Sequence, residues 1–441
     1  MTTGRRHRDR GDVERRWRRH VLLCVALGIA LRILYVLVWR RDDVAGGDAY
    51  YYHWQANEMA DGLWFINPYV YRGQGIIRAT AGHPPLFSLV LYPFSLIGLR
   101  SFLSHMLVTS CLGGLTIWLM AHAARLMGGR LAGVVAAFIA AVYPYQLIND
   151  SRVMSESWTA TMVALTLYCV YRFVRRPSGW GAAAIGAALA AGALTRAELT
   201  LLVPFVVGGA VWNVARHVGW RRAARLGAVA LLVAGACVAP WVGWNQTRFT
   251  YPVFISNGFG STLGNTNCDI TYYGDLIGFW AQDCMANPPP LGDESEWELY
   301  WRKRALTYIR EHKSRVPIVV AARIGRMFAI YRPIQGVRLD EYVEIREPPL
   351  SRLGLWMYGF LVPAACAGTW LVRRRGLPMS PVVGAFLVVV STAALAFGVT
   401  RYRASFDSVL VPAAAVGIAA VLRWCATGAL LTPARRAKVD P

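Results

Sequence analysis

Residues 21–39 read VLLCVALGIALRILYVLVW, and residues 46–62 read GGDAYYYHWQANEMADG. The first stretch is long enough, as a helix, to cross a hydrocarbon core of about 30 Å. The second places a carboxylate, Asp48, beside Tyr50, Tyr51, Tyr52, His53 and Trp54 where that helix would leave the membrane. A plain solvated connector is richer in Ser, Gly and Asn. The pair of stretches therefore sets the fold class, a polytopic helical membrane protein, and raises the question of what the acid and the rings do at the boundary.

The rest of the chain agrees with a membrane class. Of 441 residues, 55% are hydrophobic and the mean hydropathy is +0.35, above the roughly 45–50% apolar content of soluble domains. Further apolar runs lie at 102–124, 131–148, 157–174, 180–195, 199–214, 225–243, 351–372, 380–399 and 407–424. With the first run they predict about ten transmembrane helices and both termini on one side. The net charge is +22, and only Lys303, Lys313 and Lys438 are lysines, so arginine dominates. The arginine bias together with abundant Ala and Gly points to a GC-rich bacterial genome. The arginines sit in short connections between apolar runs, a pattern that excludes nucleic acid as the partner and follows the positive-inside rule.

That rule orients the chain. RRHRDRGDVERRWRRH (5–20), Arg125 and Arg130, Arg172 to Arg176, RHVGWRRAAR (216–225), Arg373 to Arg375 and the ARRAK tail fall on the cytoplasmic side. The expected division is a basic tail at 1–20, a transmembrane domain at 21–425 and a second tail at 426–441. The first apolar run is too long for a cleaved signal and lacks a small-residue cleavage site, so it reads as a retained helix. The outer side receives a first loop at 40–101, short turns at 149–156, 196–198 and 400–406, and a large loop at 244–350. Within these, 84–99 reads as a juxtamembrane or re-entrant helix, and 316–331, carrying Arg323 and Arg326, reads as interfacial. Six cysteines lie in apolar runs; Cys268 and Cys284 share the large outer loop, where an oxidising compartment favours a disulfide.

Most carboxylates therefore face outward, and several are candidates for chemistry. Asp48 reads either as a helix cap or as a general base that takes a proton from an attacking hydroxyl. Tyr51 and Tyr52 read as part of an aromatic belt or as rings that stack on a sugar. AGHPPLF (81–87) stiffens the chain after His83. NDSRVMSES (149–157) carries Asp150, Arg152 and Glu156 at membrane depth, where ionisable groups are costly and usually functional. LTRAEL (194–199) holds Arg196 and Glu198, an ion pair or a phosphate ligand; TRYRAS (400–405) holds Arg401 and Arg403. Residues 244–269, WNQTRFTYPVFISNGFGSTLGNTNCD, include Arg248 and suit a binding loop. No His/Cys spacing suggests zinc.

Taken in order, Asp48 after the first helix, HPPL (83–86), MSES (154–157), LTRAEL, the WNQTRFTYPVFISNGFG segment and TRYR (400–403) resemble the GT-C superfamily of integral-membrane glycosyltransferases. The nearest group is the branch of dolichyl-phosphate-mannose protein mannosyltransferases and lipid A aminoarabinose transferases. The resemblance covers most of 20–425 and implies a polyprenyl-phosphate sugar donor, inverting transfer on the extracytoplasmic face, and a lipid, glycan or protein acceptor. It implies a catalytic role for Asp48 and Glu156. The mechanism expected on that basis seats the donor phosphate among Arg196, Arg401 and either Arg248 or His83, with Asp150 a further candidate acid and Arg403 a further candidate substrate ligand. His83 stands where some relatives carry lysine, and Ser405 and Asp407 depart from the Arg-Tyr-x-x-Pro continuation of others. No cofactor is required, and a divalent ion between Asp48 and Glu156 is a further option. No soluble C-terminal domain of the kind some relatives carry is expected. A bacterial plasma membrane with cytoplasmic termini is the expected location. The rival class is a lipid-linked sugar flippase or other transporter, and a third reading is a non-catalytic scaffold subunit; transporters usually show internal repeats, and none is visible here.

Overall fold

The computed structural model describes residues 3–286 and 292–427, and side chains from residue 11 onward. Most of the C-terminal tail, including the ARRAK segment, lies outside the described residues. Among the described residues the only β pairing is one bridge between Ile66 and Ala79. The helices are α1 (Thr3–Tyr35, continued by a π-turn at Val36–Arg40), α2 (Gly47–Ala60), α3 (Pro68–Gln74), α4 (Leu86–Leu96), α5 (Phe102–Gly128), α6 (Arg130–Val142), α7 (Pro144–Asp150), α8 (Ser155–Arg175), α9 (Gly179–Thr195) and α10 (Leu202–Val218). They continue with α11 (Trp220–Asn245), α12 (Gly258–Thr266), α13 (Asp269–Tyr272), α14 (Glu294–Glu311), α15 (Val316–Met327), α16 (Pro333–Glu344), α17 (Pro348–Arg374), α18 (Ser380–Leu395) and α19 (Ala404–Thr427).

Each of the ten expected spans coincides with a helix or a bent pair. Six helices among the described residues are long and apolar enough to cross a bilayer on their own, and α6 with α7, bent by 62°, forms a broken span or a re-entrant loop. Helices α9 and α18 are apolar but shorter, and α8 is diluted by Glu156, Arg172 and Arg175. The count of ten is thus not reproduced by length and hydropathy alone, although the protein is plainly multi-pass. The bend follows from Pro144, which has no N–H to donate back into α6.

Two observations fix how the bundle is organised. The basic connections meet at one end: Arg125 pairs with Glu14 at 2.8 Å, the Trp17 indole donates to the Arg130 carbonyl at 3.0 Å, and Arg375 donates to the Met127 carbonyl at 2.6 Å. The acidic and aromatic loops meet at the other. Close helix approach supplies the packing where lipid offers no hydrophobic drive. A Cβ at Gly368 of α17 would stand 1.8 Å from the Ala413 carbonyl oxygen of α19, and one at Gly417 of α19 would stand 2.2 Å from the Ala364 carbonyl oxygen.

At the acidic end, α2, α3, α4 and α12 to α16 form a cap over the bundle. Helix α4 has 11 residues and α15 has 12. The arginines of α15 point inward: Arg323 donates to the Ala394 carbonyl at 3.1 Å and Arg326 to the Ile277 carbonyl at 2.7 Å. A disulfide joins Cys268 to Cys284 across the turn between α12 and α14.

Candidate active site

Asp48 lies in the first turn of α2, after an extended Gly46 and a Gly47 at φ +52, a left-handed conformation that glycine tolerates best. That turn aims the carboxylate at the start of α19. There Arg401 donates from Nη2 to Asp48 Oδ2 at 2.9 Å, and its Nε stands 3.5 Å from Glu156 Oε1. Arg401 Nη1 holds Glu344, the last residue of α16, at 3.0 Å. Glu156, in the first turn of α8, also accepts from Arg196 Nη1 at 2.8 Å. Arg196 pairs in turn with Glu198 and lies 4.4 Å over the Tyr402 ring. Side chains from five separate connections thus converge on two guanidinium groups.

The cluster is graded from open to closed. The Asp48 and His83 side chains are 35% and 28% exposed, Arg401 11% and Glu156 3%. Burial, the largest single influence, would raise the Asp48 pKa, but the charges and hydrogen bond around it, Arg401 foremost, together outweigh it and hold the carboxyl below its ordinary range. Burial pushes His83 the other way, below its ordinary value, against the opposing pull of Asp48. At neutral pH an ionised Asp48 therefore faces a neutral imidazole 3.7 Å away. Four carboxylates, Asp48, Glu156, Glu198 and Glu344, share two arginines, and the buried Glu156 Oε2 has no donor. A divalent ion bridging Asp48 and Glu156 would have to displace the Arg401 guanidinium that already contacts both.

Aromatic rings build the floor. His83 packs edge-on against Tyr51 at 4.7 Å and tilted against Tyr52 at 4.9 Å. Tyr50 stacks on Tyr69 at 5.3 Å, and the Tyr69 hydroxyl donates to the Gly47 carbonyl at 2.7 Å. The Tyr50–Tyr69 stack flanks the N-terminal turn that carries Asp48. The HPP loop is held from outside the bundle: Glu294 accepts from the Ala81 N–H at 2.8 Å, and Asn257 donates from its backbone to the Ala81 carbonyl at 2.8 Å.

Three expected ligands stand apart. Asp150 is sealed in the bundle against Arg32 at 2.8 Å, both side chains at 0% exposure. Arg32 also donates to the Ala140 and Ala141 carbonyls, which the α6–α7 break leaves without helical partners. Arg403 faces inward to Asp407 at 2.9 Å and lies 3.5 Å over the Tyr358 ring. Arg248 spends one nitrogen on the Phe65 and Thr80 carbonyls, at 2.7 and 2.8 Å, and stacks over Trp244. In this structure Asp150 and Arg403 pack inside the bundle and Arg248 clamps the first outer loop, apart from the Asp48–Arg401 cluster. Sequence reasoning missed Arg32, Glu344, Glu294 and Tyr402. An arginine inside the first apolar run was a visible signal for Arg32; Glu344 and Glu294 had none.

Residues 82–244 match the dolichyl-phosphate-mannose-protein mannosyltransferase family. The oligosaccharyltransferase of Archaeoglobus fulgidus, in its apo form, superposes with a TM-score of 0.54 at 13% identity over 92% of this chain and 50% of its own. The archaeal oligosaccharyltransferase AglB from Archaeoglobus fulgidus, in complex with an inhibitory peptide and a dolichol-phosphate, gives 0.53 at 15% identity over 95% of this chain and 52% of its own. The fold is that of the GT-C glycosyltransferases. ArnT from Cupriavidus metallidurans bound to undecaprenyl phosphate aligns at a TM-score of 0.42 and 16% identity over 92% of this chain and 78% of its own. No curated protein sequence matches. The chain spans about half the length of the archaeal GT-C structures it matches. The family match contains His83, Glu156 and Arg196, while Asp48 and Arg401 lie outside it.

Proposed function

We propose that this protein transfers a sugar from a polyprenyl-phosphate donor to an acceptor hydroxyl at the extracytoplasmic face of a bacterial plasma membrane, with both termini cytoplasmic. The observation that carries the reading is an open, ionised Asp48 and a buried Glu156 tied to one guanidinium, Arg401, at the acidic end of a GT-C bundle. The dolichol-phosphate in the archaeal AglB complex supports a lipid-phosphate donor.

In this reading the acceptor oxygen attacks the anomeric carbon as the bond to the donor phosphate breaks, so the configuration inverts. Asp48 takes the hydroxyl proton. The electron pair leaves with the polyprenyl phosphate, whose growing charge meets Arg401 and Arg196. Because Arg401 is held by Asp48 and Glu344 in this structure, an arriving phosphate competes with those carboxylates for it, and Asp48 is released to the acceptor. Glu156 keeps Arg401 and Arg196 in place. The Tyr50–Tyr69 pair offers an apolar ring surface beside Asp48 for the sugar, and Tyr51 and Tyr52 fix His83. No metal is needed to balance the step, and Arg401 fills the space a bridging ion would take.

The test is a transfer and hydrolysis assay with purified protein and a panel of radiolabelled polyprenyl-phosphate sugars, with an EDTA arm. Release or transfer from at least one donor, unaffected by EDTA, is expected. Absence of turnover across the panel, with lipid-linked sugar moving between leaflets instead, would replace the reading with a flippase.

A further inference from the structure

A second group of arginines lies on the far side of Glu344, and the chemistry above does not use it. Arg40 ends the first span, Arg152 sits in the turn between α7 and α8, and Arg346 follows α16. Arg40 is neutralised by Glu347 at 3.0 Å and by Asp43. The other two have no carboxylate within ion-pair distance among the described residues. Arg346 is 4% exposed, and the one hydrogen bond of its side chain runs from Nη2 to Asn149 Oδ1 at 3.0 Å. Its Nε and Nη1 are buried without acceptors. The Arg152 side chain donates only to the Glu344 carbonyl. Burial lowers the Arg152 pKa to about 10, with Arg346 and Arg40 adding to the fall and Glu344 opposing it.

Buried donors left unpaired are costly, and guanidinium groups that repel one another cost more. A protein retains such an arrangement where an anion completes it, and paired guanidinium forks match the oxygens of a phosphate. Asp340, which attracts Arg346, already accepts from the Thr400 hydroxyl, and Glu344 points its carboxylate to Arg401. Neither supplies the missing acceptors. The position also says where the anion comes from. Trp39 on α1 is 61% exposed, Ile345 61% and Tyr342 88%, a rim of apolar and amphipathic side chains suited to the lipid–water boundary.

We propose that Arg152 and Arg346 form a second phosphate site that takes the headgroup phosphate of a membrane lipid, separate from the Asp48–Arg401 cluster. The site stands whether or not the transfer reading holds, and its occupant is either the lipid acceptor or a resident anionic lipid. Purified protein in neutral detergent is titrated with phosphatidic acid, diacylglycerol and inorganic phosphate, and bound lipid is counted by native mass spectrometry. Saturable binding of phosphatidic acid, no binding of diacylglycerol, and at least a tenfold weakening in both Arg346→Gln and Arg152→Gln are expected, with Arg346→Lys retaining part of the binding. Competition by millimolar inorganic phosphate would mean that the phosphate alone is read; absence of competition would mean that the acyl chains add to it. Equal binding of diacylglycerol and phosphatidic acid, or unchanged binding in both glutamine variants, would overturn the site. Arg152→Gln, in a partly exposed turn, keeps the test valid if Arg346→Gln fails to fold.

Discussion

Two regions of this molecule pair arginine with carboxylate and do different things with the pair. Inside the bundle, Arg32–Asp150 and Arg403–Asp407 are one-to-one, with both arginines fully buried. Arg32 has its remaining donors on helix carbonyls, and Asp407 also accepts from Tyr143. At the outer end, Arg401 and Arg196 are shared among four acids, the contacts come from separate loops, and Asp48 is a third exposed. A sealed, balanced pair holds helices together. An open cluster with surplus carboxylate can trade partners when a substrate arrives, and trading partners is what acid–base chemistry on a charged donor requires.

The sealed pair breaks most visibly. Arg32→Met strands the Asp150 charge and reopens the α6–α7 break, and should cost about 3–5 kcal/mol. Thermal unfolding in detergent reads the loss, and Arg32→Met with Asp150→Leu should recover much of it. Substitution at the open cluster should leave stability near wild type and act on rate. Arg401→Gln is expected to lower kcat by roughly 10²–10³, the scale of removing one charge-stabilising donor, with its melting temperature little changed. If Arg401→Gln unfolds the protein as Arg32→Met does, the contrast between the regions fails.

Two smaller effects sharpen the comparison. Gly368→Ala forces α17 away from α19 and should cost about 1–3 kcal/mol with no change in KM for the donor, measured by melting and kinetics. Glu298, on α14, accepts from the Gly260 and Ser261 N–H groups, and burial raises its pKa to about 7 from 4.5. Its folded form holds the proton more tightly than the unfolded form. The stability it contributes is present below about pH 4.5 and is lost as pH rises through about 7. The melting temperature of the wild type should therefore fall between pH 5 and pH 7.5 by more than that of Glu298→Gln, a difference of a few degrees by scanning fluorimetry.

The spans and their order were legible because hydropathy over 18 or so residues is a strong, local signal. Asp48, His83, Glu156, Arg196 and Arg401 were legible because each stands in a short polar break between apolar runs. Asp150 and Arg403 look the same in sequence, since a break in hydropathy does not say whether a side chain turns toward the cap or back into the bundle. The inward turn of Asp150 depends on the kink at Pro144 and on a partner more than 100 residues away, while Arg403 turns in to Asp407 one helical turn further on. Glu344 was illegible for a related reason: it sits in a long polar loop where acids are common, and only the placement of α16 brings it to Arg401.

The most direct test of the account compares Asp48→Asn with the wild type in sugar transfer from a polyprenyl-phosphate donor, with Asp150→Asn alongside and each rate expressed per folded molecule. The account predicts a fall of roughly 10²–10⁴ for Asp48→Asn with an unchanged melting temperature. For Asp150→Asn it predicts lost stability but near-normal turnover in the surviving fraction. Wild-type turnover by Asp48→Asn, or a larger loss of turnover in Asp150→Asn, would contradict it.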